Sequence, residues 1–335
     1  MKKTLLFAMA AMVACATLSA KGPKSNLRLV YWNIQNGMWS DQQNNFDNFV
    51  KWVNEYNPDV CVWCEAQTIY YDGTDTKCKV EERYINDEES WKKLAARYGH
   101  EYVFMGGHRD NYPQVITSKY PIEAVDRLVG NVGNHPADQR DTIVAHGAGW
   151  AKIRVKGKDI NIVTLHTWPQ AYSFYCPRDE EARAKSKAEH GGDFFRATEM
   201  EYILNHTIAN AAKPDREYWM MMGDFNSRSR VDNYQYNWSE DAPAFACQDA
   251  VISNGHYIDV IAERNPGSFQ TSTYGKSRID YFYCTAPVDK KIVDARIIYE
   301  GWPAAQEKAF RNDGTQIGNF INPSDHRPIL VDFKF

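Results

Sequence analysis

The chain is 335 residues long, 43% hydrophobic and 24% charged, with a formal net charge of −4. Such a composition can bury a large core and excludes a disordered or low-complexity chain. An acidic balance also excludes a generally basic surface that grips nucleic acid without regard to sequence. It leaves catalysis on a phosphodiester open, because bound cations can supply positive charge locally.

Residues 1–20 read as a secretory leader, set apart from a single domain over 21–335. Lys2 and Lys3 form a basic start, Thr4 to Ala14 is apolar, and Leu18-Ser19-Ala20 offers small residues for cleavage. The apolar run is too short to span a bilayer. An exported protein is expected, periplasmic or extracellular, with a lipid anchor on Cys15 as the alternative. Cleavage removes two lysines and no acid, taking the charge from −4 to −6. Six cysteines then remain, an even count that permits disulfides in an exported chain. Cys61 and Cys64 lie in one apolar run, where a strand points them to opposite faces, so they read as packing residues. Cys78 and Cys176, in polar stretches, are the expected bridge.

Leu27 to Trp32 is a strand that delivers Asn33 just before the turn-like Asn36-Gly37. Phe46, Phe49, Val50, Val53 and Tyr56 recur at helical spacing, and Asn57-Pro58 stops that helix. A second strand, Asp59 to Cys64, delivers Glu65. Strand, helix and strand make a βαβ unit, so the two strands should be parallel and Asn33 and Glu65 should leave one sheet at the same edge. In open α/β sheets, that carboxyl edge is where ligands bind.

A polar insert from Thr68 to Asp87 precedes a helix carrying Trp91, Leu94, Ala95 and Tyr98, closed by Gly99. Short strands follow at Glu101 to Met105 and Gln114 to Ser118, with another after Pro121. Gly130 to His146 reads as loop. Gly149 to Val155 and Ile160 to Leu165 are strands joined by Lys156-Gly157-Lys158-Asp159, and the second ends in His166. Residues 167–192 form a long connection with Trp168, Tyr172, Phe174 and Tyr175. Connections of that length tend to be functional. A helix with Met200, Ile203, Leu204 and Ile208 on one face leads into the apolar strand Tyr218 to Met222, which ends in Gly223-Asp224-Phe225-Asn226. An extended chain would point Asp224 and Asn226 to one side. Ser227 to Ala246 is a polar and aromatic loop. Strands at Arg278 to Tyr283, Lys291 to Tyr299 and Ile329 to Phe333 complete the chain, the last opened by Ser324-Asp325-His326.

Asn33, Glu65, His166, Asp224 with Asn226, and Asp325 with His326 therefore all sit at strand boundaries. Asp280 lies within a strand on the same face as Arg278. Carboxylates and amides without cysteines suit a hard cation such as Mg²⁺, and histidines suit proton transfer or anion stabilisation. Each residue alone could cap a turn or sit satisfied in a core, but the set points to a site.

Trp32-Asn33-Ile34, Glu65 after its strand, Leu165-His166, Gly223-Asp224-Phe225-Asn226, Arg278-Ile279-Asp280-Tyr281 and Ser324-Asp325-His326 resemble, in that order, the endonuclease/exonuclease/phosphatase superfamily. The resemblance covers about residues 27–335. It implies an α+β fold, a four-layer sandwich of two packed mixed sheets flanked by helices. It implies Glu65 as the principal divalent-metal ligand with Asn33 and Asp325 beside it, Mg²⁺ as the metal, and Mn²⁺ or Ca²⁺ as alternatives. Asp224 would orient or activate water, and Asn226 would hold a phosphoryl oxygen. Asp280 would pair with His326, and His166 would assist on the leaving-group or phosphate side. Either His326 or Asp224 could be the general base. Arg278 and Trp168 are candidate substrate contacts.

Several positions depart from the family's pattern. Cys64 stands where many relatives have Gln, and Ala66 and Gln67 stand where deoxyribonucleases carry an Arg for DNA phosphate. Asn111-Tyr112-Pro113-Gln114 offers no carboxylate partner for His166. The expected activity is a secreted Mg²⁺-dependent phosphoesterase acting on a phosphodiester or phosphomonoester, small or lipid-like. A secreted nuclease cutting DNA or RNA is the alternative, and a non-catalytic binding module on the same fold ranks third. The partner is a phosphate-ester substrate, with no protein partner and a monomeric chain expected.

Overall fold

The computed structural model describes residues 25–335 apart from 43, 69–82, 110, 131–142, 269, 274–276, 303–307, 311–315 and 320–321. The leader and Cys78 lie outside the described residues, and so does the expected bridge. Among the described residues Cys176 and the buried Cys61, Cys64, Cys247 and Cys284 form no disulfide with one another.

The strands in chain order are β1 (Leu27–Asn33), β2 (Val60–Cys64), β3 (Tyr102–Gly106), β4 (Gln114–Ser118), β5 (Ile122–Gly130), β6 (Ile143–Val155), β7 (Lys158–His166), β8 (Tyr218–Asp224), β9 (Ile258–Asp259), β10 (Asp280–Cys284), β11 (Ile292–Ile297), β12 (Lys308–Phe310), β13 (Gln316–Asn319) and β14 (Ile329–Phe333). Two six-stranded sheets form, ordered β11-β14-β1-β2-β4-β3 and β5-β6-β7-β8-β10-β9, with β12 and β13 as a separate pair. Each sheet has one parallel pairing, β1 with β2 and β7 with β8, and its other pairings are antiparallel. Both parallel pairs are joined by helical crossovers, as parallel strands require. The helices include α1 (Gln35–Gln42), α2 (Asp47–Tyr56), α3 (Glu88–Ala96), α4 (Glu180–Ala188), α5 (Gly191–His206), α6 (Asn233–Tyr236) and α7 (Ala246–Ser253).

Side-chain alternation along the strands builds four layers. Leu29, Tyr31 and Val62 of the first sheet meet Ile162, Met220, Met222 and Phe282 of the second in the central core. The opposite faces point outward. Val30, Trp32 and Trp63 pack under α2 and α3 against Phe49, Val53 and Trp91. Val163, Trp219 and Met221 pack under α5 and α7 against Met200, Ile203 and Val251. These are the expected layers.

Three boundaries differ from the sequence reading. β6 begins at Ile143, so His146 belongs to a strand rather than a loop. The connection after His166 holds a helix of its own, α4, started by the Asp179 side chain accepting from Ala182 N and with none of its residues fully buried. β10 begins at Asp280, leaving Arg278 outside the ladder.

Candidate active site

Strand register gathers the polar residues. β7 and β8 place His166 opposite Asp224, and β10 places Asp280 opposite Asp224 from the other side. β1 and β2 end level, with Asn33 opposite Cys64, so Glu65 emerges one residue later. The central core holds these ends of the two sheets together. Asn33 Nδ2 donates to Glu65 Oε1 at 3.2 Å and, across the sheets, to Asp224 Oδ2 at 3.1 Å. Gly223 makes the β7–β8 contact feasible, since a Cβ there would stand 2.2 Å from the Leu165 carbonyl oxygen.

Glu65 sits in a strained cradle. Its own φ is 52°, and Gln35, Asn36 and Met38 also have left-handed backbone. Each non-glycine residue held that way costs roughly 1–3 kcal/mol, and such strain persists where the surroundings over-determine it. Here Gly37 N donates to the Glu65 carbonyl at 2.7 Å, Asn36 N to Glu65 Oε2 at 3.1 Å, and Gln35 N to Asn33 Oδ1 at 3.0 Å. Gln35 Oε1 in turn accepts from Asp325 N at 3.2 Å.

His326 is the best-anchored ring. Its Nδ1 lies 2.8 Å from Asp280 Oδ2, and Tyr31 donates its hydroxyl to Asp280 Oδ1 at 2.7 Å. Its Nε2 lies 3.7 Å from Asp224 Oδ2 and 3.8 Å from Asp325 Oδ1. Burial works against charge on this ring, but Asp280, Asp224 and Asp325 outweigh it and hold the proton well above the usual histidine range. Asp224 is pushed up to about 7, chiefly by burial and with Asp280 adding, against the pull of His326. His166 lies far below the ordinary histidine range because it is buried beside His146 and His326. It faces Asp224 Oδ2 from 3.6 Å.

The donor set fits a divalent cation. Glu65 is pushed up to about 7 by burial and by Asp325, so two carboxylates crowd where a cation would relieve them. Among the described residues, Asp325 Oδ1 is buried without a hydrogen-bond partner. The ligand atoms of Glu65, His166 and Asp224 all lie within 4.8 Å of one another. All but the histidine are hard oxygen donors.

Two expectations are corrected. Asn226 is not on an extended continuation of β8, because its φ of 45° turns the chain there. The turn lets Asn226 N donate to Asp224 Oδ1 at 2.9 Å and Nδ2 to the Thr167 carbonyl at 3.1 Å, and the residue still lines the cleft. Arg278 does not reach the cleft. It is fully buried, with Nε 2.9 Å from Asp232 Oδ2 and Nη1 2.6 Å from Asp259 Oδ1, over the Tyr281 ring. A guanidinium committed to two carboxylates in the core is structural.

Trp168 does line the cleft, which has a volume of about 500 Å³. His146, Asn111, Tyr112 and Gln170 join it on the wall beside His166; Asn111 and Tyr112 belong to the stretch that offers His166 no carboxylate, and His146 and Gln170 were not singled out from the sequence. His146 was hidden by the Gly- and Asn-rich residues before it. The one available signal was its place ahead of the alternating strand residues.

A buried proton-holding histidine with its carboxylate, a second carboxylate poised near neutrality and an oxygen-rich cation site together define a hydrolase of phosphoric esters. The model of the Endonuclease/Exonuclease/phosphatase family matches residues 30–326, so the chain belongs to that family. Among solved structures, it is similar to an AP endonuclease from Archaeoglobus fulgidus, with 15% identity, a TM-score of 0.56, and 92% of this chain and 100% of that one covered. It is also similar to D. rerio TDP2 complexed with a single-strand DNA product, with 13% identity, a TM-score of 0.52, and 92% and 99% covered. A 3' phosphatase from Neisseria bound to a product DNA hairpin matches with 14% identity, a TM-score of 0.51, and 92% and 100% covered. At these identities the likeness is one of fold. A search of curated proteins finds no match.

Proposed function

We propose that the chain is an exported, Mg²⁺-dependent hydrolase of a small ester carrying a single phosphate, as monoester or diester. One observation carries the substrate reading. The cleft gathers Asp224, His326 and Glu65, yet among the described residues no lysine or arginine lines it. A nucleic-acid strand brings phosphates on both sides of the scissile one, and such flanking charge is ordinarily met by Lys and Arg. A single phosphate needs only the site's own cation and donors. The leader at residues 1–20 supports export.

Glu65, with Asn33 and Asp325, would hold the metal. When bound, a divalent cation would neutralise charge on the phosphoryl oxygens, and Mn²⁺ or Ca²⁺ are the alternatives the oxygen donors accept. Asp224 takes the proton of the attacking water, since a carboxyl near 7 balances availability as a base against basicity. Asn226 N and Asn33 Nδ2 keep that carboxylate oriented. Protonated His326, fixed by Asp280, stabilises charge developing on the phosphoryl oxygen. The water oxygen bonds phosphorus as the bond to the leaving oxygen breaks, and that oxygen departs as the alcohol after taking a proton from water.

The test is a panel of sugar phosphates, glycerophosphodiesters, phospholipids, DNA and RNA, each with Mg²⁺ and with chelator. Turnover of small esters, abolished by chelator and by Asp224→Asn, is the expected result. Turnover confined to nucleic acid overturns the proposal.

A further inference from the structure

His146 is 4% exposed and, among the described residues, neither of its ring nitrogens makes a hydrogen bond, although the Asn111 backbone stands close enough to act on the ring. An unpartnered polar group this deeply buried destabilises the fold, so a residue kept this way calls for a role. Its ring stacks on His166 with centroids 4.3 Å apart, and Trp168 stacks beyond it at 6.3 Å. The three rings form a ladder running from the reacting centre along one wall of the cleft, with Tyr112 edge-on to both histidines at 5.1 and 6.2 Å.

The backbone under this ladder is fastened. Ala145 N donates to Glu199 Oε1 at 2.7 Å, Asn111 Nδ2 to the Ala145 carbonyl at 2.9 Å, and His108 N to the His146 carbonyl at 3.0 Å. Helix α5 grips Trp168 on both sides, since Trp168 N donates to Glu199 Oε2 at 2.9 Å and its carbonyl accepts from Arg196 Nη1 at 2.8 Å. Glu199 and Arg196 are both buried. A single carboxylate thus ties the strand carrying His146 to the loop carrying Trp168. Preorganisation of this kind is what a binding wall needs.

The chemistry of the wall selects its ligand. Neither His146 nitrogen has a hydrogen-bond partner among the described residues, so a neutral imidazole in this wall leaves one nitrogen to donate and the other to accept. The two nitrogens diverge, so two hydroxyls, one accepting and one donating, complement the pair, whereas a phosphate asks for cations. Asn111 and Gln170 add neutral amides, and the indole of Trp168 adds a flat apolar face. We propose that His146 and Trp168, held together by Glu199, form a leaving-group subsite for an uncharged, hydroxyl-rich alcohol, a sugar or polyol. In this subsite His146 contacts substrate directly and Glu199 is a positioning residue. The inference rests on the single-phosphate reading above and names its substrate class.

The experiment compares butyl and erythritol esters of phosphate, each as monoester and as methyl diester, with Mg²⁺, beside a polyol ester bearing a second phosphate. The wild-type chain should prefer erythritol to butyl by about tenfold or more in kcat/KM, because a site built to bond hydroxyls rejects analogues lacking them. His146→Phe keeps the stack and removes both nitrogens, and should lower that ratio at least tenfold. His146→Gln should restore part of it. An unchanged ratio in a folded His146→Phe chain overturns the subsite, as does a wild-type preference for the ester with the second phosphate. Saturation-transfer NMR of erythritol against metal-free protein is the readout without catalysis. Transfer to the wild type that is lost in His146→Phe supports the subsite, and no transfer to the wild type overturns it. If the wild type hydrolyses no phosphate ester, the hydrolase reading itself fails, and the NMR result still decides whether the wall binds polyols.

Discussion

Asp280→Asn isolates the charge that holds His326. Both Asp280 oxygens are used, one by His326 Nδ1 at 2.8 Å and the other by the Tyr31 hydroxyl at 2.7 Å, and the side chain is fully buried. Asparagine can accept from the imidazole with Oδ1 and turn its NH₂ to the Tyr31 oxygen, so the shape survives and the negative charge is lost. Burial then acts on His326 with only Asp224 and Asp325 to oppose it, and the ring's affinity for its proton falls toward the ordinary range. Loss of a positioned acid or base typically costs roughly 10²–10⁴-fold in rate. At about 1.4 kcal/mol per decade, that is about 3–5 kcal/mol of transition-state stabilisation. The assay is kcat/KM against pH on a soluble phosphate ester with saturating Mg²⁺, with circular dichroism to confirm folding. The expected result is a loss in that range, together with a pH profile whose basic limb moves to lower pH. Tyr31→Phe should move the limb the same way with a loss of about tenfold at most, since one neutral hydrogen bond is worth about 1 kcal/mol. A folded Asp280→Asn chain within threefold of wild type and with an unmoved limb would refute the assignment of His326.

Other outcomes follow from the same structure. Glu65 has its pKa raised to about 7 in the folded chain, so the folded state keeps a proton that the unfolded chain releases above its ordinary value near 4.5. Metal-free stability should therefore fall as pH rises from about 4.5 to about 7. Mg²⁺ should reverse the fall, and Glu65→Gln should reduce both effects in thermal melts with and without chelator, the remainder coming from Asp224, which is also pushed up to about 7. His100, buried between Thr117 Oγ1 at 2.9 Å and the Pro58 carbonyl at 3.0 Å, is pushed down to about 4 by burial. Its contribution is present above about pH 6.5 and is lost as pH falls toward 4, roughly 3 kcal/mol in all, which urea titrations at pH 7 and pH 5 would read and His100→Gln should flatten. Gly223→Ala would set a Cβ against the Leu165 carbonyl and should destabilise by about 1–3 kcal/mol or more. Because the same shift separates Asp224 from His166, kcat should fall as well, and a variant with a wild-type melt and full activity would contradict the register.

The residues most legible beforehand were those that end strands. Asp224, Glu65 and His166 each follow an apolar run and Asp325-His326 leads into one, and a run bounded by a polar residue marks a sheet edge in one dimension. Arg278 was misplaced by the same logic. Alternation put it on the face of Asp280, but its carboxylate partners Asp232 and Asp259 are 46 and 19 residues away, and no local pattern announces such pairs. His146 and Glu199 escaped for a related reason. Glu199 looks like an ordinary polar residue on a helix until Ala145 and Trp168, 54 and 31 residues distant, present their N–H groups to it.

The sequence alone determined most of the elements, because hydrophobic period, turn residues and strand-ending polar groups are local properties of the chain, while α4 and the starts of β6 and β10 escaped it. It also determined the family, through motifs kept in order from Asn33 to His326. Tertiary structure decided which polar residues face one another. One parallel crossover and one antiparallel return bring His166, Asp224 and Asp280 into one row, the parallel pair β1–β2 brings Asn33 and Glu65 to one edge of the other sheet, and the packing of the sheets sets these against the row. That packing also decided that the neighbouring wall is neutral and aromatic. Contacts between residues a hundred or more positions apart depend on register and layer order, which the whole core sets at once.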